Sequence, residues 1–181
     1  TMESIADDFE LRPAKCLARI RRDTRFTKDK TPYRDHLWLM FKRELEPRDE
    51  SVMYWFELSP EGVGWGLGFW GPNRPALDAL RTMIEQRPSE VMDALHRANI
   101  PCDDFAIDGD VYQKRKIPDG VPDELKSLYL RKELYVSKSG SLADAYSGAI
   151  VQQCGQDYLR LKPLYLLFRK LADLGKATLD A

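Results

Sequence analysis

A chain of 181 residues, 43% apolar and 31% charged with a net charge of −1, has the make-up of a globular protein with its own core. Near-neutrality argues against coating nucleic acid by bulk charge. No run of about eighteen apolar residues suggests a membrane span, and the start Thr1-Met2-Glu3-Ser4 lacks the basic and apolar regions of a signal peptide.

The elements are predicted as follows. Ser4 to Leu11 is a short helix ended near Pro13. From Cys16 to Arg22 the pattern alternates, with Cys16, Ala18 and Ile20 on one side and Leu17, Arg19 and Arg21 on the other, as in a strand. Continued regularly, it puts Arg22, Thr24 and Phe26 on the apolar side, so Arg22 needs a carboxylate or a bound anion. Residues 33 to 42 resume as a strand apolar on both faces and therefore covered on both. Glu46-Pro47-Arg48-Asp49 turns the chain into a strand at 52–58, and Ser59-Pro60-Glu61-Gly62 turns it into one at 63–70.

That last strand alternates Gly62, Gly64, Gly66 and Gly68 with Val63, Trp65, Leu67 and Phe69. Each interior glycine costs about 0.5–1 kcal/mol relative to alanine, roughly 2 kcal/mol for three. Something must approach that backbone closely, either a helix packed flat on the glycine face or a ligand lying on it. Two helices follow, one capped by Asn73 with Pro75 in its first turn and one capped by Ser89 that carries a solvent-facing His96. Residues 105 to 117 read as strand or hairpin, Pro118 to Pro122 as loop, 122 to 130 as helix and 132 to 138 as strand. Ser141-Leu142-Ala143-Asp144 resembles a capping box opening a helix that pauses at Gly155. The expected fold is α+β: a single domain with a largely antiparallel sheet, a meander between about 16 and 70, and helices packed on it.

The chemistry concentrates in residues 19 to 34. Seven of these sixteen residues are Lys or Arg and two are acidic, a local charge of +5 that leaves −6 on the rest of the chain. Arginine suits paired hydrogen bonds to carboxylate or phosphate oxygens, and lysine adds point charge. Candidate ligand-binding residues are Arg22, Arg25, Lys28, Lys30, Tyr33 and Arg34, with Lys114 and Lys116 from the second basic cluster. Asp23, Asp29 and His36 are the nearby candidates for a catalytic base. Three readings stand open: a small-anion site, an Arg–Asp network that fixes the loop in a protein-interaction module, and nucleic-acid contact. Nucleic acid requires stacking surface, but Trp38, Trp55, Trp65 and Trp70 sit at strand positions that fit a core better.

Nucleotide-loop, hydrolase, zinc-protease and calcium-loop motifs are missing. No cofactor or metal is expected, since positive charge around Asp23 and Asp29 opposes a shared divalent ion. Cys16, Cys102 and Cys154 lack ligand spacing and are expected as reduced, unpaired thiols of a cytoplasmic protein.

The run Arg19-x-x-Arg22-Asp23-x-Arg25-Phe26-x-x-Asp29-Lys30-x-x-Tyr33 resembles the signature of domain of unknown function 2461, an uncharacterised family that is mainly bacterial and partly fungal. The glycine-rich strand closing in an aromatic and Pro72, the segment Lys114 to Gly120, and Lys132 before a strand extend the likeness. The resemblance implies no activity. It does imply a longer N-terminus than this chain shows, with a helical region whose absence leaves a surface for a partner or for self-association.

Overall fold

A computed structural model describes residues 1–101 and 104–179, which excludes Cys102. Its centre is a five-stranded antiparallel sheet: β1 (Leu37–Phe41), β2 (Val52–Ser59), β3 (Gly62–Phe69), β4 (Ala106–Asp108) and β5 (Tyr135–Gly140). The order is β1-β2-β3-β5-β4, so the first three strands form the expected meander and β5 inserts beside β3. Among the described residues seven α-helices join it: α1 (Pro13–Cys16), α2 (Arg74–Gln86), α3 (Pro88–Ala98), α4 (Asp123–Tyr129), α5 (Leu142–Tyr146), α6 (Ala149–Arg160) and α7 (Lys162–Leu179). The fold is α+β.

The register fixes which side chains share a face. Tyr54, Trp65, Leu67 and Phe69 alternate onto one face, where α6 and α7 supply the other half of the core. Tyr54 lies between Tyr158 and Tyr165 at ring distances of 5.0 and 5.4 Å, and Phe69 stacks on Phe168 at 5.9 Å. Trp65 is buried, and its Nε1 donates to the buried Asp157 at 2.9 Å. Two predicted caps form. Asn73 Oδ1 accepts from Ala76 N, and Ser141 and Asp144 make both halves of a capping box.

Several expectations are corrected. The first turn is a 3-10 helix at Met2–Ser4, while residues 8 to 10 run extended: Glu10 N donates to Lys42 O, and Glu44 N donates to Asp8 O. Helix starts instead at Pro13, whose missing N–H costs nothing in a first turn. Cys16 therefore closes α1, and 16–22 is no strand. The isolated bridge Leu17 to Leu39, with Ala18 N donating to Trp38 O, ties this segment to β1, and the bridge Arg21 to Tyr33 ties it to the residues before β1. Its apolar side dissolves accordingly, with Ile20 and Phe26 exposed. The strand expected at 33–42 shrinks to β1, which is half-exposed and not covered on both faces. Pro88, and not Ser89, opens α3, because proline fits the first helical position. The hairpin at 105–117 reduces to β4, and β5 begins three residues later than expected. Gly155 lies inside α6, and the helical run breaks only after Arg160.

Among the described residues, no helix covers the glycine face as a flat layer. The close approach comes from the next strand: a Cβ on Gly66 would stand 2.0 Å from the Val136 carbonyl oxygen, and one on Gly68 would stand 2.3 Å from Tyr135 Cβ. Cys16 and Cys154 are free and buried, and burial raises both thiol pKa values, Cys154 to about 11. Among the described residues, no helix is long and apolar enough to cross a membrane.

Candidate functional site

The face carrying the glycines holds two hollows. The first, about 840 Å³, is basic. Residues 14, 15, 17–19, 21–25 and 34 surround it, with Met40 of β1 and Arg48 of the β1–β2 turn. The second is a groove of about 690 Å³ with Gly62 and Gly64 on its floor. Trp38, Trp55 and Trp70 stand on its β1–β2 side, with Tyr135, Ser137 and Ser139 of β5 opposite. Three of the four tryptophans expected in the core thus belong to this surface: Trp38 and Trp55 are half-buried and Trp70 is exposed. Trp65 alone is core.

The basic loop is held by its own acids. Asp29 accepts from Arg22 and, at 2.9 and 2.6 Å, from the backbone and hydroxyl of Thr31. These bonds, those from Thr31 foremost, hold its carboxyl well below the usual range. Asp23 accepts from Arg25 through the backbone N at 3.1 Å and through the guanidinium at 2.6 Å, and its pKa is likewise lowered. Lys30 Nζ donates to Thr24 O at 2.7 Å. Both candidate carboxylates therefore stay ionised as acceptors, which suits them to framing the loop better than to taking up protons. His36 shares a third hollow with Arg22, Asp29, Tyr33 and Arg34, and its Nδ1 lies 2.9 Å from Asp35. Lys28 is exposed, and Tyr33 is exposed beside Arg34. Lys114 and Lys116 follow β4, at the opposite edge of the sheet from β1, and line neither hollow.

The residue that sequence reasoning passed over is Arg48. Its guanidinium carbon lies 3.4 Å above the Trp70 ring and 5.4 Å from the Trp38 ring. It has no ion pair among the described residues. Burial, with the Arg34 charge nearby, pushes its pKa down. Arg48 Nε and Trp38 Nε1 are both buried donors without an acceptor among the described residues. No signal in its turn, Glu46-Pro47-Arg48-Asp49, distinguishes Arg48 from a solvated arginine. The tryptophans that make it unusual arrive from 10 residues before and 22 after.

Among the described residues, no cluster of His, Cys, Asp and Glu could hold a metal ion. No curated protein matches the chain, and no solved structure does. The family model described as conserved hypothetical protein (DUF2461) matches residues 1–166. With that match extending over most of its length, the chain belongs to the DUF2461 family of conserved hypothetical proteins.

Proposed function

We propose that the protein binds a ligand bearing a phosphate or carboxylate group in the basic hollow, with Arg34 and Arg48 as the principal contacts. One observation carries this reading. Arg48 is half-buried, close to a like charge, and without a carboxylate among the described residues. A cation held this way is relieved by an anion bound between it and Arg34. Arg22 and Arg25 already pair with Asp29 and Asp23, so they shape the hollow and add field. A second reading, contact with single-stranded nucleic acid, draws on Phe26, 89% exposed under the Arg25 guanidinium, and on exposed Tyr33. A cytoplasmic setting fits the two buried thiols.

Thermal melts in phosphate, sulfate or chloride at constant ionic strength test the proposal. Wild type is expected to be stabilised by the oxyanions, by about 2.7 kcal/mol at a hundredfold excess over Kd. Arg48→Gln should melt near wild type, since lost stacking on Trp70 offsets relieved repulsion, and should lose the oxyanion response. Arg25→Ala, removing an exposed local pair, should keep it. A full response in Arg48→Gln refutes the assignment. Steep salt dependence with tighter binding of oligonucleotides than of phosphate favours the second reading.

A further inference from the structure

The glycine groove opens beside the basic hollow, and the Arg48–Trp70–Trp38 stack joins them. Arg48 lines the hollow, while both tryptophans beneath it line the groove. Trp38 and Met40, successive residues on one face of β1, divide the same way, Trp38 to the groove and Met40 to the hollow. An anion held by Arg34 and Arg48 is therefore positioned to carry a body that extends into the groove.

The groove has the features of a ring site. Its volume lies within the usual range of small-molecule sites, about 300–1,000 Å³. Gly62 and Gly64 put bare backbone on the floor, so a flat group can lie against the sheet. Unlike Gly66 and Gly68, Gly64 is not demanded by the neighbouring strand: its Cβ would first meet the Trp55 ring, at 3.3 Å. Trp55 and Tyr135 offer aromatic surface on opposite sides. Further along, Glu57 and Glu61 accept hydrogen bonds from amino or hydroxyl groups and repel a second anionic group. The complementary molecule is anionic at one end, flat in the middle and donor-rich at the other. A nucleic-acid strand would need continuing positive charge, and the carboxylates Glu57, Glu61, Asp108 and Glu133 deny it that path.

Resting on the anion-binding reading, we infer that the protein binds a nucleoside monophosphate, its phosphate on Arg34 and Arg48 and its base over Gly64 beside Trp55. Calorimetric titration of the full chain with adenosine and cytidine monophosphates, ribose 5-phosphate and inorganic phosphate tests it. The monophosphates should bind at least about tenfold more tightly than the two base-free anions, the advantage expected from one stacked base. Gly64→Leu, which fills the floor, should abolish that advantage and leave phosphate affinity unchanged. Trp55→Leu, which removes the stacking wall, gives the same readout on a second variant. Equal affinities for all four probes, or an advantage that survives both substitutions, overturns this inference and leaves the anion site standing. Tighter binding of an oligonucleotide than of the monophosphates also overturns it. Failure of every anion to bind overturns the anion site and this inference together.

Discussion

Gly66→Val is expected to abolish the folded state or to cost more than about 4 kcal/mol, a large part of the 5–15 kcal/mol that ordinarily stabilises a domain. Gly66 is on β3, hydrogen-bonded to β2 on one side and to β5 on the other. A Cβ there would stand 2.0 Å from Val136 O, 3.0 Å from Val136 C and 3.1 Å from Ser137 Cα. All three are backbone atoms of a paired strand, so the clash is relieved only by opening the β3–β5 ladder. Gly64→Ala is the contrast, since its nearest neighbour is the Trp55 side chain at 3.3 Å. Urea unfolding of both variants should show Gly64→Ala close to wild type and Gly66→Val unfolded or far below it. A wild-type midpoint for Gly66→Val contradicts the strand spacing described above.

Asp157→Ala is the second large effect, about 3 kcal/mol. Asp157, on α6, is 7% exposed, and its Oδ2 lies 2.9 Å from Trp65 Nε1 and 3.3 Å from Lys138 Nζ. Removing the carboxylate leaves a buried indole N–H without an acceptor and leaves Lys138 with Asp104 as its remaining carboxylate, at 2.6 Å. Asp157→Asn keeps an acceptor and should cost less. The pH dependence has a definite sign. Burial lowers the Lys138 pKa, but Asp104 and Asp157 outweigh it and the net shift is upward from 10.5. The stability Lys138 contributes is therefore complete below 10.5 and fades as pH climbs through the raised folded value. In Asp157→Ala, where Asp104 alone opposes the burial, the folded value is less raised and that alkaline loss should be smaller. Denaturant unfolding near neutrality and above pH 10.5 measures both effects.

Where local chemistry decides local structure, the sequence was legible. Asn73 and Ser141 cap helices, and the β1–β3 meander follows from apolar alternation between proline and glycine turns. Failure came where two local signals competed. Alternation from Cys16 to Arg22 reads as strand, but Pro13 starts a helical turn whose last residue is Cys16, and the remainder pairs only by single bridges. The glycine alternation correctly demanded a close neighbour. It could not say that the neighbour is β5, because that strand lies about seventy residues away and its place beside β3 is a property of the topology. The candidate site shows the same division. Arg22, Arg25 and Arg34 were visible as charge density, whereas Arg48 acquires its character only from tryptophans brought together by three strands and their ends.

The central claim is that an oxyanion accepts from Arg48, and the most direct test observes its donors. Proton–nitrogen correlation spectra resolve arginine Nε and tryptophan Nε1 groups, including two buried donors at this site that lack an acceptor among the described residues, Arg48 Nε and Trp38 Nε1. During a phosphate titration at constant ionic strength, the Arg48 and Trp38 signals should shift together and saturate, while that of Arg25, paired with Asp23, should move little. Arg48 and Trp38 signals that stay fixed at phosphate concentrations where other arginines drift without saturating would contradict the account.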